Sequence, residues 1–107
     1  MAYVMRQELL DKARKELAEK SMRQIEAETA DVWAARSIVA FENYMASKKA
    51  ALETGKPEHE AEALGWLAKA VYLGHEAEEH AGEAGTADAI RAAVSQARGK
   101  AGLPEES

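Results

Sequence analysis

The hydrophobic positions of this chain change character along its length. In the first stretch, RQELLDKARKELAEKSMRQIEAE, Leu10, Ala13, Leu17, Met22 and Ile25 recur at spacings of three to five, a narrow stripe on a polar rod. A narrow stripe predicts a helix with one partner helix. Charges four apart support it: Glu8 with Lys12, Asp11 with Lys15, Glu16 with Lys20. The next stretch, TADVWAARSIVAFENYMASKKAALE, is far more apolar. At about 100° per residue, Trp33, Ala34, Ile38, Phe41, Tyr44, Met45 and Leu52 occupy roughly 160° of one side, a face that has to be buried. No proline or glycine occurs between Met1 and Thr54. The pattern therefore allows one rod of about 75 Å or a bend near residues 28–31. Thr29 and Asp31 suit a new helix N-terminus there, and Ser21 with Gln24 has the form of a capping box.

Thr54-Gly55-Lys56-Pro57-Glu58 is the clearest punctuation, with glycine placed to end one helix and proline to begin the next. A third helix is expected from about Pro57 to Ala81, ended by GEAGT, with Thr86 as the next N-cap. A short helix over 87–98 puts Ile90, Ala93, Val94 and Ala97 on one side, and GKAGLPEES reads as a flexible tail. A tight turn at 54–58 makes facing positions of the hairpin sum to about 111. That pairs Lys49 with Glu62 and Glu42 with Lys69, while Ala35 opposite Glu76 and Glu28 opposite Glu83 contribute nothing. The expectation is an all-α protein: a small bundle built on a long N-terminal helix, bent or straight, an antiparallel hairpin and a short C-terminal helix. Residues 1–98 form one domain and 99–107 the tail.

Composition agrees, rich in Ala, Glu, Lys and Leu and short of Val, Ile and Thr. The formal charge of −5 is uneven: residues 1–53 hold nine basic and nine acidic side chains, residues 54–107 five basic and ten acidic. Such a surface repels phosphate backbones and anionic lipid, so neither nucleic acid nor membrane is an expected partner. Without cysteine there is no disulfide framework and no thiolate chemistry. MAYVMRQELL has no apolar run of signal-peptide length and no later segment approaches spanning length, which places the chain in the cytoplasm as an expectation.

One cluster suggests chemistry. In YLGHEAEEHAG, residues 72–82, two of the chain's three histidines stand among three glutamates. Zincin chemistry needs histidines four apart on one helix face, but His75 and His80 are five apart, about 140° around the helix. The inverted zincin order fails at Ala77, and the Glu-x-x-His of di-iron bundles fails at Tyr72 and Ala77. What remains is Glu76 with His80 and His75 with Glu79, each four apart and able to offer two ligands per face. On the same helix Trp66, Ala70, Leu73, Ala77, Leu67, Val71 and Leu64 fill roughly 180°, which leaves most of the cluster on the polar side, with Glu78 inside the apolar arc. An ion pair from Asp31 to His80 is the simpler reading of the cluster's surroundings. No serine has a nucleophile elbow and no glycine run forms a phosphate loop.

The expected function is therefore a noncatalytic helical assembly or adaptor protein, a homo-oligomer or the partner of another protein. Trp33, Ile38, Phe41, Tyr44, Met45, Trp66, Leu67 and Leu73 are its candidate interaction residues, and no cofactor is expected. The alternative is an iron-handling or other divalent-metal bundle with His75, Glu76, Glu79 and His80 as ligands. A third reading, an acidic regulator of a basic protein, rests on charge alone.

Overall fold

In the computed structural model, which describes residues 5–84 and 87–103, the helical expectation is met by α1 (Gln7–Glu19), a single 3₁₀ turn (Met22–Gln24), α2 (Ala30–Thr54), α3 (Pro57–Ala84) and α4 (Ala87–Lys100). No strand occurs among the described residues. The proposed N-cap Thr86, the Glu83 side chain and the last residues of the expected tail lie outside what is described.

The first fifty residues do not form a rod. α1 stops at Glu19, Lys20 turns extended (φ −117°, ψ 145°), and the chain folds back over a ten-residue connector before α2 begins at Ala30. The Ser21/Gln24 pattern is used in that connector: the Ser21 N–H donates to Gln24 Oε1 and the Gln24 N–H to the Ser21 carbonyl, both at 2.9 Å. Of the two alternatives, one rod or a bend near 28–31, the second is nearer: α2 starts there, with Thr29 extended just before it. The break has a tertiary cause. Folding α1 back buries Ala13 and Leu17 against α2, whereas a rod would leave their stripe in water.

The turn at 54–58 forms as the sequence predicts. Gly55 takes the left-handed conformation (φ 68°) and donates to the Ala51 carbonyl at 2.8 Å, and Pro57 opens α3. Two helix ends differ from expectation. α3 passes through Gly82 to Ala84, because one glycine weakens a helix by only about 1 kcal/mol and does not stop it. α4 runs to Lys100, and Gly102 (φ 76°) lets the Leu103 N–H reach the Arg98 carbonyl, while Leu103 packs on the core.

α2 is the hub, packing against α1, α3 and α4. Its first half is buried on every side, from Val32, Ala35 and Val39 as well as Trp33, Ala34, Ala40 and Phe41, so the single buried face read from the sequence is an underestimate. The seam with α3 is made of small residues: Ala63, Ala70, Gly74, Ala77 and Ala81 share one side of α3, and the five are spaced by three, four or seven. They let the backbones approach closely. The Ser37 hydroxyl donates to the Ala70 carbonyl at 2.8 Å, and a Cβ on Gly74 would stand 3.2 Å from both Ser37 Oγ and Val94 Cγ1.

The surface charges pair differently from the spacing rule. Glu42 accepts from Arg14 of α1 at 3.3 Å, and Lys69 lies 4.4 Å over the Trp66 ring instead of meeting Glu42. Lys49 turns to Glu53 on its own helix and Glu62 to His59. In α1, Lys12 reaches Glu28, Asp11 meets Arg14, and Glu16 turns inward to Arg36. Once α1 lies on α2, its charges find partners across the interface. The radius of gyration is 13.7 Å, near the ~13 Å expected for a compact domain of this length. Among the described residues no helix is long and apolar enough to cross a membrane.

Candidate functional site

The His/Glu cluster sits on the last turns of α3, where the helix places its members in different surroundings. His80 is half-buried: its ring stacks on Trp33, centroids 5.9 Å apart and planes within 3°, and Nε2 lies 3.7 Å from Glu76. His75 and Glu79 are exposed on another side of the helix, and Glu78 points to Arg91 of α4 at 3.4 Å. Two of the four candidate ligands therefore meet, Glu76 with His80. Among the described residues no three His, Asp or Glu side chains are grouped to hold a metal ion.

The most demanding electrostatics lie one helix away, at a residue that periodicity does not single out. Arg36 is completely buried, a position almost never given to an unpaired cation. It is fully engaged. Nε and Nη2 donate to the two carboxylate oxygens of Glu16 at 3.3 and 2.7 Å, Nη1 donates to the Glu26 carbonyl at 2.9 Å, and the guanidinium lies 4.7 Å over the Trp33 ring. A forked pair plus a carbonyl uses the planar donor geometry that only arginine offers. The group ties α1, the connector and α2 together. Its one signal in the sequence is a charged residue inside the most apolar stretch, WAARSIV. The Trp33 indole N–H, buried beside it, has no hydrogen-bond partner among the described residues.

Of the eight interaction residues expected from sequence, Trp33, Phe41, Tyr44 and Leu73 are buried within the chain itself. Ile38, Met45, Trp66 and Leu67 are half-buried. Among the described residues, the large apolar side chains that face water are Leu52, Leu64 and Tyr72, at 79%, 63% and 50% exposure. The first two belong to the far half of the α2–α3 hairpin. α1 and α4, with 13 and 14 residues, are half as long as α2 and α3, with 25 and 28, and among the described residues they leave most of that half exposed. No residue from 45 to 62 is buried.

The molecule thus has a four-helix body, in which the Arg36 group ties α1 and the connector to α2, and a two-helix tip with no buried residue. This defines a class by architecture, an all-α bundle with a projecting hairpin. No protein-family model, curated protein or solved structure matches the chain.

Proposed function

We propose that this chain is a noncatalytic helical assembly or adaptor protein that works through protein–protein contact at the hairpin tip, with a second copy of itself as the first partner to test. The observation that carries the reading is the absence of any buried residue between 45 and 62, together with the exposure of Leu52 and Leu64. A two-helix hairpin is marginal by itself, since most helical stability comes from packing an apolar face. A helical partner laid on the tip would supply that packing and remove both leucines from water. The tip carries both signs of charge, Lys48, Lys49 and Lys56 beside Glu53, Glu58, Glu60 and Glu62, which suits a protein surface better than a polyanion or an anionic bilayer.

The test is size fractionation of a native extract from cells making the wild-type chain or a Leu52→Glu/Leu64→Glu double variant. Both positions are exposed, so the variant retains its fold. The wild type should migrate well above the 11.6 kDa of one chain, and the variant should fall to that mass. Wild type running as a single chain overturns the proposal. Repeating the measurement on pure protein separates the partners: an assembly that persists is made of copies of this chain, and one that disappears needs another protein.

A further inference from the structure

α1 and α4 both pack on α2 but do not pack extensively on each other, and a cleft of about 270 Å³ opens between them. Its floor is one face of α2, with Ile38, Phe41 and Met45 at spacings of three and four, and Met5 and Leu10 close the α1 side. The α4 side is lined by Ala93 and Ala97. Alanines there make the cleft: larger side chains at those two positions would fill it, and protein interiors leave few voids of this size by default. The volume falls just below the usual range for drug-sized ligands, about 300–1,000 Å³, so it suits one short unbranched chain and is too small for a bulky cofactor.

The mouth carries charge of both signs, placed on opposite sides. Glu42 stands on the α2 side, but both its oxygens are already within 3.3 and 3.4 Å of the Arg14 guanidinium. On the α4 side are Gln96 and Lys100, one helical turn apart and both exposed. Arg14 is shared with Asp11 at 2.9 Å and only partly offsets Glu42, whereas Lys100 has no ion pair among the described residues, so the α4 side of the mouth presents a cation and an amide donor beside an apolar slot.

We infer that this cleft is a binding site for a small anionic amphiphile, a short alkyl chain ending in a carboxylate. The chain lies along Ile38, Phe41 and Met45, and the carboxylate meets Lys100 and Gln96. The cleft shares only Met45 with the 45–62 segment and lies away from Leu52 and Leu64, so it stands whether or not the tip assembles.

Isothermal titration of the pure full chain with decanoate, below its micelle concentration, tests the site against decyltrimethylammonium as the cationic counterpart. One equivalent of decanoate should bind, and the cation should bind more weakly. Lys100→Glu should weaken decanoate about three- to tenfold, as expected when attraction at an exposed charge gives way to repulsion, and should favour the cation. Ala97→Phe should abolish uptake by filling the slot. Methyl NMR of the wild type guards against variants that misfold: decanoate should shift Met5, Leu10, Ile38 and Met45 selectively. Absence of saturable one-to-one uptake, equal binding of both head groups, or shifts confined to other methyls would each overturn the assignment.

Discussion

Replacing Glu16 with alanine tests the central electrostatic argument. The substitution removes both carboxylate oxygens, at 2.7 and 3.3 Å, from a guanidinium with no exposure, and Glu16 itself is only 11% exposed. Removing one partner of a buried pair typically costs about 3–5 kcal/mol, because an uncompensated charge is left in a medium of low polarity. The Glu26 carbonyl and the Trp33 ring remain against Arg36, which places the cost at the lower end, about 3 kcal/mol. With an unfolding entropy of about 2.1 cal/mol/K per residue, 107 residues give about 0.22 kcal/mol/K, so the melting temperature should fall by about 13 °C. That is a large part of the ~5–15 kcal/mol that holds a domain of this kind together. Urea unfolding followed by far-ultraviolet circular dichroism measures the free energy, and a thermal melt measures the midpoint. The double variant Glu16→Leu/Arg36→Met should recover most of the stability, since an apolar pair in place of a buried ion pair is often neutral or better. A destabilisation below about 1 kcal/mol for Glu16→Ala, the range of solvent-exposed pairs, would refute the reasoning and mean that water reaches Arg36.

Other consequences follow from packing. Gly65→Ala, where a Cβ meets nothing within 4 Å, should stabilise the chain by about 0.5–1 kcal/mol through helix propensity, measured by the shift in urea midpoint. Gly74→Val should do the opposite, by about 1–3 kcal/mol, because a Cβ there already stands 3.2 Å from Ser37 and Val94; a neutral result would mean that α4 is free to move away from the seam. Leu73→Ala, at a fully buried position on α3, should cost about 2–5 kcal/mol in the same assay. Zinc(II) or iron(II) added in excess should leave the melting temperature unchanged, since Glu76 and His80 meet without a third ligand among the described residues; a metal-dependent rise that disappears in His80→Ala would revive the metal reading.

Local physics makes the helices legible. Periodicity and charge spacing are properties of neighbouring residues, so α2, α3, the Gly55/Pro57 turn and the polar placement of His75 and Glu79 can be read directly from the order of residues. Burial is harder, because it depends on how many neighbours a helix acquires. The angular arc on α2 implies one buried face, whereas three helices surround it. Leu64 falls in the apolar arc of α3 by its angle but stands exposed, because the seam of α3 centres on Ala63, Ala70 and Ala77.

What the sequence determined by itself was the class, four amphipathic or buried helical segments and one sharp reversal, because those signals act over a few residues. What only the tertiary structure decided was where the first fifty residues break, which charges meet and which surface stays bare. Nothing between Lys20 and Thr29 forbids a helix, yet the break there lets α1 bury Ala13 and Leu17 and bring Glu16 to Arg36, a pairing of residues twenty apart that no local pattern encodes. The same packing leaves residues 45–62 without a buried member, since the lengths of α1 and α4 matter only once both lie against the hairpin.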